Sequence, residues 1–306
     1  MFRSVILAAA GSTRVERLVE RVPLSRTIVD RFVAGTTTAD ALRATHELVG
    51  DGLAVTLDYL GEDTTTLTHA EATRDEYLAL LDALAAGELT PAAEVSLKLS
   101  ALGQLLDEKV AEQHARAICV RASEAGTTVT LDMEEHTTTD STLEILGRLR
   151  SDFPTVGVAL QAYLRRTEAD CRELATPGSR VRLCKGAYHE PESVAYQSRL
   201  DVDKSYVRCM NILMSGEGYP MVASHDPRLV AIGEDRARWF DHSTDEFEFQ
   251  MLYGVRPEEQ LRLAGAGYTV RVYVPYGKQW YGYLMRRLAE RPANVAFFAR
   301  ALRSRR

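Results

Sequence analysis

Asp58, Lys98, Asp132, Gln161, Arg182, His225, Gln250 and Tyr273 share one kind of position, at or near the end of a short apolar or β-branched run. Any one of them alone reads as a polar side chain meeting water. Eight together imply a cavity with a purpose, because charges withdrawn from water need partners. The set holds both signs, Asp58 and Asp132 against Lys98 and Arg182, which suits an anionic or zwitterionic ligand. A metal centre would gather carboxylates and histidines without competing cations. The seven histidines form no H-x-x-E-H or H-E-x-x-H pair, so no metal is expected. Near the C-terminus, Tyr283, Arg286 or Arg287, and Glu290 fall three and four residues apart, on one face of a helix. Adjacent arginines there ordinarily form a solvated face or pair with Glu290. Beside a binding cavity, two guanidinium forks are shaped to clamp a carboxylate.

The elements that must position these residues follow a regular rhythm. Strand-like runs occupy 53–58, 94–99, 127–132, 156–161, 180–185, 220–224, 245–250 and 268–274. Amphipathic segments such as 66–87, 103–125 and 226–240 lie between them. This alternation predicts a parallel sheet with helical crossovers. Eight strands close a barrel, and the span from residue 53 onward is about the 250 residues such a barrel needs. The expected fold is therefore α/β, a (β/α)8 TIM-type barrel with an N-terminal helical extension. An open dinucleotide-binding sheet is disfavoured because no G-x-G-x-x-G follows any run. Residues 1–50 form the extension, with helical spacing at 15–22 and 28–33 and a helix from a cap-like Thr38 to Gly50; residues 51–306 form the catalytic domain. Alternation along each strand turns Val95, Leu97, Val129, Leu131, Val181, Leu183, Val270, Val272 and Val274 towards the helices. It turns Ser96, Lys98, Thr130, Asp132, Arg182, Arg271 and Tyr273 into the barrel.

Composition narrows the classes further. The chain has 306 residues, 45% apolar and 26% charged, with a net charge of −6. That balance offers no basic footprint for nucleic acid. Cys119, Cys171, Cys184 and Cys209 contain no C-x-x-C pair, which excludes a zinc ribbon or thioredoxin-like centre and fits a reducing cytoplasm. The apolar stretch Val5 to Ala10 is too short for a signal peptide, and no window reaches the roughly 20 apolar residues of a membrane span. A soluble, intracellular protein is expected.

The segments VSLKLSAL (95–102), LDMEE (131–135), LQAYLRR (160–166), RLCKGAY (182–188), ASHD (223–226), FEFQMLYG (247–254), RVYVPYG (271–277) and YLMRRLAE (283–290) resemble the motifs of proline dehydrogenases, in that family's order. The length is similar to that of the monofunctional bacterial form. The resemblance implies an FAD enzyme that oxidises L-proline to Δ1-pyrroline-5-carboxylate and passes electrons to a membrane quinone. It implies coupling to a separate pyrroline-5-carboxylate dehydrogenase. The implied location is the cytoplasm, at most peripheral to the inner face of the cell membrane. Carried over residue by residue, Arg286 and Arg287 pair with the proline carboxylate, helped by Lys98. Tyr273, Tyr283 and Leu252 line the pocket, with Asp132 at the junction of substrate and flavin. Met133, Gln161, Arg182, Lys185, Gly186 and Ala187 surround the cofactor, as do His225, Asp226, Gln250 and Glu290. Tyr188 covers the site.

His189 and Glu190 depart from the bifunctional members, where an aromatic residue commonly follows KGAY. On residues alone, two other readings stay open. One is a barrel lyase or aldolase in which Lys98 or Lys185 forms a Schiff base, Lys98 being placed among cations. The other is a non-catalytic amino-acid sensor that keeps the carboxylate clamp.

Overall fold

A computed structural model describes residues 29–61 and 64–290, with side chains as far as Met285. Eight parallel strands close on themselves in chain order, β1 pairing with both β2 and β8. They are β1 Ala54–Tyr59, β2 Ala93–Leu97, β3 Val129–Leu131, β4 Gly157–Gln161, β5 Arg180–Cys184, β6 Tyr219–Ala223, β7 Glu248–Leu252 and β8 Thr269–Tyr276. A helix follows each strand: α2 Leu67–Ala86, α3 Glu108–Glu124, α4 Thr139–Arg150, α5 Thr167–Leu174, α6 Arg199–Met214, α7 Pro227–Trp239, α8 Pro257–Gly265 and α9 Trp280–Glu290. The (β/α)8 expectation holds.

The helix ahead of the barrel, α1, is Thr38–Gly50 and packs against β1 and β8. Its cap is Thr37 rather than Thr38. The Thr37 hydroxyl accepts from the Asp40 amide while the Asp40 carboxylate accepts from the Thr37 amide, a reciprocal pair that Thr38 is one residue too late to make. The segment before α1 is pinned to the barrel as well. Ala34 donates to Pro275 O, and Arg31 Nε donates to Gly254 O. Gly254 has φ +68°, and a Cβ there would fall 1.7 Å from Arg31 O, so no other residue admits this crossing. The helical spacing expected at 15–22 lies outside the described residues.

Both faces of the strands are buried, and contacts rather than burial follow the predicted alternation, the inward set hydrogen-bonding inside the barrel and the outward set joining the apolar core. Val95, Leu97, Val129, Leu131, Val181, Leu183, Val270, Val272 and Val274 are all buried between sheet and helices. Two strands begin two or more residues later than expected. β3 begins late because the Thr127 and Thr128 hydroxyls donate to Ala93 O and Thr155 O, which ties the approach down before pairing starts. β7 begins at Glu248 rather than 245, because the Ser243 amide and hydroxyl donate to the Glu246 and Asp245 carboxylates in a local turn. Gln250 is therefore mid-strand, not at the strand end as expected.

The barrel interior is charged at its lower end. Glu94 accepts from Arg180 Nη2 at 2.8 Å, Thr56 Oγ1 at 3.0 Å and Thr130 Oγ1 at 3.2 Å. Glu248 accepts both ends of a fork from Arg271 Nε, at 2.9 and 3.1 Å. Arg271 also caps Val55 O and Ala92 O. Burial alone would raise the Glu94 carboxyl, but the guanidinium groups of Arg180, Arg271 and Arg182 outweigh it and bring it from 4.5 down to about 2. A carboxylate depressed in this way stabilises the fold fully above pH 4.5 and loses that contribution as pH falls toward 2. Glu94→Gln leaves buried guanidinium charge uncompensated, so it should lower unfolding free energy by about 3–5 kcal/mol near neutral pH. In urea titrations the gap between variant and parent should narrow below pH 4.5. A gap that stays constant to pH 3 would contradict the ion-pair account.

Candidate functional site

Above the lower tier, the C-terminal ends of the strands carry the predicted ring. Asp132, just past β3, receives four hydrogen bonds. Arg182 Nη1 at 2.6 Å and Ser96 Oγ at 2.8 Å donate to Oδ1. Tyr273 OH at 2.6 Å and Lys98 Nζ at 3.3 Å donate to Oδ2. Lys98, just past β2, also donates to Asp58 Oδ2 at 2.7 Å. Burial pushes Asp132 up, but the charges of Lys98 and Arg182 win and hold it below its ordinary value. Burial and the Asp132 charge push Tyr273 well above its own, so the phenol keeps its proton and donates it.

This environment corrects one expectation. Lys98 does not sit among cations: two carboxylates and the Tyr273 hydroxyl face its Nζ. An inward lysine on a strand flanked by inward Asp58 and Asp132 meets the side chains next to it in the barrel. Those happen to be acidic.

Arg182 is 3% exposed and held on two sides. Nε donates to Gln250 Oε1 at 2.6 Å, and Nη1 donates to Ser96 Oγ at 2.9 Å and to Asp132. Its Nη2 is buried with no hydrogen-bond partner, the Glu94 carboxylate lying 3.9 Å away. Gln161, the last residue of β4, donates through Nε2 to Met133 O at 3.2 Å, while its Oε1 is buried and unpartnered. These are two polar atoms of opposite hydrogen-bonding sense, both without a hydrogen-bond partner inside the barrel. Both are available to a ligand at the strand ends.

A second group forms after β5 and β6. Lys185 Nζ lies 2.5 Å from Asp203 Oδ1 and 2.9 Å from Asp226 Oδ2, and Arg228 binds the same two carboxylates at 2.7 Å. Asp226 also caps α7 by accepting from the Arg228 amide. His225 Nε2 accepts from the Leu252 amide at 2.8 Å, which places the proton of the neutral ring on Nδ1. Gly186, at φ +108°, lies flat on Tyr163; a Cβ would come within 2.3 Å of that ring. Glu190 anchors the far end of this loop, accepting from the His136 amide at 2.9 Å, from His136 Nδ1 and from Tyr163 OH. Ala187 and Tyr188, between those anchors, are half-buried.

The structure thus joins Asp58, Lys98, Asp132, Arg182, Gln250 and Tyr273 in one network, and Lys185 with Asp226 in another. Met133 is buried and meets Gln161 through its carbonyl. Leu252 meets His225 through its backbone amide. Tyr283 is buried on α9. Arg286, Arg287 and Glu290 belong to the same helix, outside the residues whose side chains are described.

Sequence reasoning missed Glu94 and Glu248, although both share the inward parity of Ser96 and Gln250 and could have been found by extending it two residues. It also missed Asp203 and Arg228, which sit on separate helices and carry no local signal. Among the described residues, no group of three or more His, Cys, Asp or Glu side chains could hold a metal, and no helix is long and apolar enough to cross a membrane.

Comparison with known proteins agrees with this geometry. The sequence profile described as "Proline dehydrogenase" matches residues 41–300. The chain is 38% identical over 272 residues to proline dehydrogenase 1 of Bacillus subtilis, covering 89% of each. It is 38% identical over 307 residues to proline dehydrogenase of Deinococcus radiodurans, covering 99% of this chain and 98% of that one. Among solved structures, proline utilization A (PutA) from Bdellovibrio bacteriovorus superimposes with a TM-score of 0.80 at 26% identity, covering 87% of this chain. The shared part is 33% of that much longer protein. The chain belongs to the proline dehydrogenase family.

Proposed function

We propose that the chain oxidises L-proline to Δ1-pyrroline-5-carboxylate using FAD, with a membrane quinone as the onward electron acceptor. The observation that carries this reading is the Asp132-centred network at the strand ends in a chain of this family. The residues present suit a flavin. Gln161 Oε1 offers an unused acceptor and Arg182 Nη2 an unused donor, and an isoalloxazine ring presents both an N–H and carbonyl oxygens. Arg182, Gln161, Gln250 and Met133 would hold it from the barrel, with Lys185, Gly186, Ala187 and Tyr188 along its side. His225, Asp226 and Glu290 complete that set.

In the network, Asp58 and Asp132 are matched by Lys98 and Arg182, so a substrate carboxylate needs further cations. Arg286 and Arg287 on α9 supply them, and Lys98 completes the grip. Tyr273, Tyr283 and Leu252 present apolar surface to the pyrrolidine ring, which fixes the carbon next to nitrogen in one orientation. Cations around the carboxylate favour the unprotonated amine, whose lone pair expels hydride from that carbon and leaves an imine. FAD, when bound, supplies the two-electron acceptor for this step. Lys98 Nζ is held by two carboxylates and the Tyr273 hydroxyl, a geometry that argues against its attack on a carbonyl in Schiff-base chemistry. The product is a cyclic imine in equilibrium with an aldehyde, a substrate for a separate pyrroline-5-carboxylate dehydrogenase. Electron delivery to a quinone places the protein in the cytoplasm, peripheral to the membrane's inner face.

Visible absorbance of the purified protein should show flavin bands that bleach on anaerobic addition of L-proline. Flavin bands unmoved by proline would redirect the substrate assignment to other cyclic amines, and a colourless protein that FAD cannot reconstitute would sink the proposal. Arg286→Ala or Arg287→Ala should each weaken proline binding by about 2–4 kcal/mol, roughly 30- to 1000-fold, with FAD retained, and the double variant should weaken it further. Wild-type proline kinetics in that double variant would remove the clamp assignment.

A further inference from the structure

Gln250 stands between two charges of opposite sign. Its Oε1 accepts from Arg182 Nε at 2.6 Å, and its Nε2 donates to Glu248 Oε1 and to Met221 Sδ at 3.2 Å. The two ends of a side-chain amide are nearly equal in size, so shape alone does not choose between them. Polarity does. A guanidinium only donates and a carboxylate only accepts, so turning the amide over would set N–H against N–H and oxygen against oxygen.

Glu248 is fully buried, two residues before Gln250 on the same inward face of β7. It cannot drift, because Arg271 grips both of its oxygens and Tyr219 OH donates at 3.3 Å. Arg271 is fixed in turn to the backbone of β1 and of the approach to β2. A continuous line of alternating polarity therefore runs from the strand backbone through Arg271, Glu248 and Gln250 to Arg182, ending on Asp132.

We propose that Glu248 is a positioning residue for the flavin reaction: by fixing the orientation of the Gln250 amide, it holds the Arg182 guanidinium still. This rests on the reading of Arg182 as a neighbour of FAD. A cation held in place beside a flavin stabilises its reduced form more than one free to move away, which raises its midpoint potential and favours uptake of hydride. Glu248 touches neither substrate nor cofactor and acts only through Gln250.

The test uses the FAD-bound enzyme. Glu248→Asp keeps a carboxylate for Arg271 but draws it back from Gln250. Gln250→Met leaves the Glu248–Arg271 pair intact and removes the link together with any Gln250 contact to the flavin, so Glu248→Asp is the variant that isolates the role of Glu248. Both variants should retain FAD, show a more negative midpoint potential for it, and lose about 10- to 100-fold in kcat with KM for proline unchanged. A wild-type potential in either variant overturns the proposal. So does a Glu248→Asp chain that does not fold, or one whose loss is confined to KM, since each makes Glu248 a structural residue only. A wild-type protein that shows no flavin bands even after addition of FAD fails the underlying assignment before any variant is made.

Discussion

A barrel interior lined with charge can exist only if each charge meets its opposite in the dry space between the strands. Desolvating a carboxylate or a guanidinium costs several kcal/mol, and only close, well-directed partners offset it. Here the partners come in two tiers. Glu94 and Glu248 face Arg180 and Arg271 below; Asp58 and Asp132 face Lys98 and Arg182 above. The hydroxyls of Ser96, Thr56, Thr130 and Tyr273 take up hydrogen bonds that the ions leave over. Barrels of this class more often fill their centres with Val, Ile and Leu. This one gives up that apolar packing inside and keeps it for the layer between sheet and helices.

The tiers bear directly on chemistry. Matched charges with short contacts are pre-oriented, so they need no rearrangement when charge moves during a reaction. Asp132 is the hub, accepting from β2 and β5 on one oxygen and from β2 and β8 on the other. A change at any of Ser96, Lys98, Arg182 or Tyr273 therefore reaches the other three through one carboxylate. The second cluster, of Lys185, Asp203, Asp226 and Arg228, lies at the start of α6 and α7, where it ties two helix beginnings to the end of β5.

Much of this was legible from residues alone, for a physical reason: a strand's alternation is local. Eight runs and their parity placed Asp58, Lys98, Asp132, Arg182 and Tyr273 inside without any knowledge of contacts. Local signals failed where the deciding contact was distant or degenerate. Three consecutive threonines, Thr36 to Thr38, offered equivalent caps, and only the geometry of Asp40 chose Thr37. The acidic run from Asp245 to Glu248 hid the start of β7, because two of its carboxylates serve a turn and the last serves the barrel. The sign of the field at Lys98 depends on β1 and β3, tens of residues away in sequence. Proline and FAD were never readable from parity; they came from the likeness of motifs.

The position of α1 has a bearing on how the chain is made. Its buried residues Ala41, Ala44 and Thr45 lie on the wall that β1 and β8 form together, and that wall joins Ala54 to Arg271. During synthesis α1 emerges long before β8, the later of the two strands it rests on. The part of its apolar side that β8 covers stays exposed until translation has passed Tyr276, and the contact that closes the ring is among the most distant in sequence. Long-range closure of this kind is slow and leaves apolar surface exposed meanwhile. The half-finished barrel is therefore the species most in need of a chaperone.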